Sequence, residues 1–146
     1  MKRALTAVAV AVAAVVVPPA QASAEAEHDD GFVVWTTDRC GSVEFVDYGP
    51  GEPGSGGDDD YLVVRDHCDD GYEVKADGWL GWYWLRVKYV DGPAAGPVFW
   101  DPFVEHGGLY GGDRLGLTAC QYDRDQAASG YLGFNCASDQ RVLVDG

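Results

Sequence analysis

Residues 72–92 read YEVKADGWLGWYWLRVKYVDG. The run is rich in Tyr, Trp and Val, as strands are, and it sustains no helical period with caps. Its Asp-Gly pairs, Asp77-Gly78 and Asp91-Gly92, carry turn chemistry, because glycine reaches the positive φ that tight turns need. The expected elements are strands over Tyr72–Ala76 and Trp82–Val90, each followed by one of these turns. Successive strand side chains point to opposite sides. Trp82, Trp84, Arg86 and Lys88 then share one face, and Tyr83, Leu85, Val87 and Tyr89 the other. The second face is apolar and is assigned to a core.

The first face combines two indoles with two cations, and two outcomes are open for it. Exposed, it forms a flat aromatic strip able to stack on sugar rings or peptide side chains, with Trp82, Trp84 and Arg86 as the contact residues. Covered by a loop or a second sheet, its cations lie over the rings. The high average burial of tryptophan favours the covered outcome.

Working outward, the same pattern of short apolar or alternating runs recurs. Strands are expected over Phe32–Trp35, Ser42–Tyr48, Tyr61–His67, Val98–Trp100, Leu115–Tyr122, Tyr131–Cys136 and Arg141–Val144. Twenty Gly and seven Pro separate them, and Gly49–Asp60 (GPGEPGSGGDDD) reads as a long loop. Many short strands at close spacing indicate an all-β domain, an antiparallel β-sandwich of roughly immunoglobulin size, with a small β-barrel as the alternative. The inner faces are expected to carry Val43 and Phe45, Leu62 and Val64, Tyr83, Leu85 and Val87, and Leu115, Leu117 and Ala119.

Four cysteines, Cys40, Cys68, Cys120 and Cys136, read as two disulfides in an exported chain. The preferred pairing joins sequence neighbours, Cys40 with Cys68 and Cys120 with Cys136. Simple alternation puts Cys68 on the inner face with Leu62 and Val64, hence in a buried bridge. It puts Cys120 opposite Leu115 and Leu117, so the second bridge belongs at an edge or beside a bulge. A zinc site is disfavoured, since no Cys-x-x-Cys pair exists and His28, His67 and His106 are scattered.

Export is expected from the N-terminus. Met1, Lys2 and Arg3 form a short positive segment, and Ala4–Val17 is almost wholly Ala and Val. That length suits a signal peptide and is too short to cross a hydrocarbon core of ~30 Å as a helix. Ala22-Ser23-Ala24 supplies small residues for cleavage after Ala24, with a cut after Ala22 as second choice. The division is a signal peptide over 1–24 and a single secreted β domain over 25–146. Two of the ten basic residues leave with the signal and all 24 acidic residues stay, which takes the formal charge from −14 to −16. Such a surface repels nucleic acid and anionic membranes.

Acidic clusters raise the question of calcium. Asp66, Asp70 and Asp77 fall at spacings that resemble part of a calcium loop, but Cys68 stands where a third carboxylate is needed and no helices flank it. A hairpin turn at Asp69–Gly71 is the plainer reading. Asp58, Asp59 and Asp60 form another cluster. No hydrolytic motif is present, no serine sits beside a histidine in sequence, and oxidised cysteines offer no thiolate. Asp66-His67 and Glu105-His106 are neighbours whose side chains diverge in a strand. No catalytic residue and no cofactor is nominated. The function expected is a non-catalytic extracellular binding domain with a carbohydrate or an extracellular protein as partner. A secreted enzyme inhibitor or toxin-like effector, and a hydrolase with a carboxylate site of its own kind, are the alternatives.

Overall fold

The computed structural model describes residues 29–47, 60–129 and 132–144. The expected signal segment, Asp58, Asp59, most of the Gly49–Asp60 loop, and the strand ends Tyr48 and Tyr131 lie outside them. Eight strands are described: β1 Phe32–Trp35, β2 Gly41–Val46, β3 Tyr61–Asp66, β4 Glu73–Leu80, β5 Tyr83–Asp91, β6 Val98–Trp100, β7 Arg114–Tyr122 and β8 Phe134–Val142. They form two four-stranded sheets, β1-β2-β3-β6 and β5-β4-β7-β8, with every pairing antiparallel. The all-β sandwich is therefore the observed architecture, and the closed barrel is not. Helical structure among the described residues is confined to 3-10 turns at Pro93–Ala95, Val104–His106 and Arg124–Ser129.

The inner faces alternate as β-branched and aromatic strands should. Val34, Val43, Phe45, Leu62 and Val64 of the first sheet meet Val74, Ala76, Val90, Leu115, Leu117 and Ala119 of the second. Phe103 and Leu109 from the β6–β7 connection, with Leu143, belong to the same buried cluster, and Phe103 stands edge-on to Phe45 at 5.9 Å between centroids. Each fully buried side chain of this kind contributes about 1.5–3 kcal/mol.

Four expectations about turns and strands are corrected. Asp77-Gly78 is not a turn: β4 runs straight through it, and the reversal comes at Gly81-Trp82, the two residues between Leu80 and its partner Tyr83. Gly81 has a φ of 57°, so glycine takes the first of the two loop positions, as a tight hairpin prefers. The face assignment in β5 fails after Leu85. Register shifts between Gly78 and Trp79, so Leu85 and Arg86 together oppose Gly78, and Arg86 has a φ of 89°. The extra residue of this bulge reverses the parity of the strand. Leu85 is buried before it and Val90 after it, while Val87 is only half-buried and Tyr83, at the hairpin end, is exposed. Lys88 consequently turns inward and lies over the Trp100 ring, 5.7 Å from its centroid.

The third correction concerns Asp69–Gly71, which is a corner between sheets rather than a hairpin, because β3 and β4 belong to different sheets. Fourth, the two last expected strands are one, β8, running through residues assigned to a break.

The cystines follow the expected pairing, Cys40–Cys68 and Cys120–Cys136. Cys68 lies beyond the end of β3 and is half-exposed, as is Cys40, so this bridge ties the β1–β2 turn to the sheet-crossing corner instead of lying in the core. Cys120 points away from the core and reaches edge strand β8, where the β7–β8 register shifts between Ala119 and Gln121. In the chain-entropy account, loops of this size stabilise by ~3 kcal/mol each.

Candidate ligand-binding face

Hairpin β4–β5 carries the aromatic segment to one end of the sandwich. Leu80 is buried at its base, and the Gly81 N–H donates to the Arg114 carbonyl at 2.8 Å, which fastens the turn to β7. Beyond that anchor the Trp82 and Trp84 indoles are largely exposed and that of Trp79 is half-buried. Trp82, at the tip, is 99% exposed, Trp84 is 55% exposed and Trp79 is 37% exposed. None of the three has a ring or cation contact with another described residue. The covered outcome does not occur for Trp82 or Trp84.

Register places the outer face in rows. Trp84, Trp79, Gly116 and Gln140 lie side by side across β5, β4, β7 and β8, and the next row reads Val87, Asp77, Thr118 and Ser138. Gly116 has no side chain to fill its place, so the row dips between Trp79 and Gln140. The result is an open cleft of about 470 Å³ with Trp79 on one wall and Thr118, Ser138 and Gln140 opposite. Thr118 and Ser138 share a hydrogen bond of 2.7 Å between their hydroxyls. In the second row the Asp77 carboxylate is 3.0 Å from Lys75 Nζ, and both side chains are largely buried. Asp139, which also lines the cleft, pairs with Arg141 at 3.2 Å, so the face offers aromatic surface and hydroxyl and amide groups, with its charges in ion pairs.

Two further depressions flank the tip. One, of about 460 Å³, is lined by Leu80, Gly81, Trp82, Tyr83, His106, Gly108, Tyr110 and Asp113. The other, of about 600 Å³, lies between Trp82, Asp113, Arg114 and Gln140. Gly81 borders all three. Arg86 lines none of them. It sits in the bulge with its guanidinium 3.9 Å from the Glu105 carboxylate, both well exposed, and the strand parity that would have put it beside Trp84 is broken there.

The three aspartates considered for calcium are held apart by separate duties. Asp66 accepts from the N–H groups of Cys68 and Gly92, at 3.1 and 2.8 Å, pinning the end of β3 to the β5–β6 connection. Burial pushes its carboxyl above the ordinary value, against those two hydrogen bonds. Asp70 accepts from Tyr72 N–H and Gln121 Nε2, and Asp77 pairs with Lys75. Among the described residues the one cluster with metal-ligand spacing is Cys40, Cys68 and Asp70, and its sulfurs are joined as cystine.

A Ser–His contact absent from sequence proximity does form. Ser42 Oγ lies 2.9 Å from His67 Nε2, across 25 residues. The register that pairs Ser42 with Arg65 delivers it. Ser42 is only 2% exposed, beneath its cross-strand neighbours Trp35 and Arg65, so no substrate carbonyl reaches its oxygen. The pair secures the cystine end of the sheet.

No protein-family model, no curated protein and no solved structure matches this chain. Trp79, Gln140 and Tyr110 were not nominated from sequence. Trp79 becomes legible once the Gly81-Trp82 loop is recognised, because a two-residue hairpin sets Trp79 opposite Trp84. Gln140 and Tyr110 come from distant strands and loops and carry no local signal.

Proposed function

We propose that this chain is a secreted, non-catalytic binding domain whose β5-β4-β7-β8 face stacks against a neutral polysaccharide. The observation that carries the reading is the row Trp84–Trp79–Gly116–Gln140, in which the part-exposed Trp79 indole, with Trp84 beside it in the row, borders a dip lined by hydroxyl and amide groups and by Asp139, which is paired with Arg141. Indole faces suit the flat, C–H-bearing faces of sugar rings, and the polar wall suits their hydroxyls. An open cleft suits a stretch of polymer rather than a buried small solute. The formal charge disfavours anionic polymers. Two cystines are formed, which accords with work outside the cell; no helix among the described residues is long and apolar enough to cross a membrane.

The test is retention of the oxidised protein on insoluble cellulose, chitin and starch. Retention on at least one is expected, weakened about tenfold or more by Trp79→Ala with Trp84→Ala, as for aromatic anchors elsewhere. Circular dichroism checks that the variant stays folded. Passage through all three polymers, or equal retention of the folded double variant, overturns the reading.

A further inference from the structure

We propose a second site on the other side of the same hairpin: a cage for a quaternary ammonium group, built by Trp82, Tyr83, Tyr110 and Asp113. Leu80 and Tyr83 point to the opposite side of the β4–β5 ribbon from Trp79 and Trp84, by alternation from the paired register. There they meet the 3-10 turn Val104–His106 and the loop that follows it. Tyr83 and His106 lie 5.6 Å apart between ring centroids. The Tyr110 hydroxyl donates to the Gly107 carbonyl at 2.7 Å, which fixes that ring. The pocket of about 460 Å³ between them is walled by Trp82, Tyr83, His106, Tyr110 and Asp113.

Its charge is complementary to a cation. Aromatic faces attract positive charge within about 6 Å of the ring, and Asp113 adds a carboxylate. The nearest basic side chain in the hairpin, Arg86, is engaged by Glu105. The scarcity of acceptors then selects the kind of cation. A lysine ammonium brings three N–H donors that must be satisfied. One Asp113 oxygen already accepts from Tyr110 N–H at 3.1 Å, and Asp113 is the one carboxylate among the pocket's lining residues. A quaternary ammonium has no donors to satisfy and presents methyl groups to the rings. The pocket therefore fits a small N-methylated cation better than a lysine side chain.

Choline is the probe, titrated by tryptophan fluorescence and by NMR at pH 8. Saturable binding with a Kd on the order of 1 mM is expected for a few exposed cation–π contacts. Its uncharged carbon isostere, 3,3-dimethylbutanol, should bind at least about fivefold more weakly. Trp82→Ala and Asp113→Asn should each weaken choline by about fivefold. The asparagine keeps the acceptor for Tyr110 N–H, so the loop stays closed. Trp79→Ala should leave choline binding unchanged, which separates this site from the polysaccharide face. Equal binding of the isostere, tighter binding of a lysine tripeptide than of choline, or no saturation by 100-fold above that Kd overturns the proposal. Polysaccharide retention is read separately, and neither result decides the other.

Discussion

Two tryptophans at opposite ends of the sandwich, one at the end of β1 and one in the β4–β5 turn, have opposite fates. Trp35, beside the cystine Cys40–Cys68, is 36% exposed and clothed: His67 stacks on it at 4.8 Å and the Arg39 guanidinium lies 5.6 Å from its ring. Trp82, at the hairpin tip, meets no such partner. At the cystine end several polar groups near the indole are hydrogen-bonded. Ser42 meets His67, Thr36 donates to Asp38, and Asn135 Nδ2 reaches across from β8 to the same Asp38 carboxylate at 2.8 Å. At that end the indole is packed within its own sheet, and Asn135 ties the two sheets together. The hairpin end leaves aromatic area unspent, which costs solubility and folding energy and is retained where contact with something else repays it.

The contrast can be broken most forcefully at the cystine. Replacing Cys40 and Cys68 by serine should lower stability by about 3 kcal/mol, read as a fall in the denaturant midpoint. If the fold survives, fluorescence of the distant hairpin indoles should stay that of exposed tryptophan. A shift toward buried emission would show that the two ends are not independent.

Next in size is the tryptophan comparison itself. Trp35→Ala should destabilise by about 1–2 kcal/mol, since it removes a half-buried, stacked ring. Trp82→Ala should change stability by less than about 0.5 kcal/mol, as exposed substitutions do. Equal destabilisation by both, measured by urea unfolding, would mean that the tip indole is packed.

The smallest expected effect is a pH slope. Burial raises the Asp38 carboxyl, but hydrogen bonds from the Thr36 hydroxyl, the Cys40 N–H and the Asn135 side chain outweigh it and hold the group below its ordinary 3.8. A carboxyl depressed in the folded state adds stability above its unfolded value, and that stability is lost as pH falls through the folded value. Asp66 has the opposite sign. Its raised carboxyl makes the folded state the better proton binder, so its ionisation subtracts stability as pH rises through the window above 3.8. Asp38→Asn should therefore flatten the acid limb of stability below about pH 4, and Asp66→Asn should steepen the net rise between about pH 3 and 6. Acid titrations followed by thermal unfolding read both; identical slopes for the two variants would contradict this assignment.

Much of this molecule was legible in one dimension. Phe32–Trp35 and Val98–Trp100 have the expected bounds, and the cystine pairing follows from neighbours on adjacent elements. The pairing of Val43, Phe45, Leu62 and Val64 on an inner face came from period-two alternation alone. Legibility ended at Gly78. A glycine after aspartate looks like a turn, yet here it lies within β4 opposite the doubled residues Leu85 and Arg86, and a Cβ on it would come into ordinary contact with Leu85. Nothing local distinguishes those two uses of glycine. One inserted residue then moved Lys88 inward and Val87 toward the surface, because alternation carries no memory of a bulge.

The chain by itself determined that it would form short antiparallel strands, two cystines and a strongly acidic surface, since β-propensity, turn glycines and charge act over a few residues. Which indoles stay bare, and which side chains share a cleft with them, was decided only when the sheets packed. Exposure depends on whether a second layer reaches a residue. That layer is assembled from segments scores of residues away, as when Gly116 and Gln140 come to lie beside Trp79.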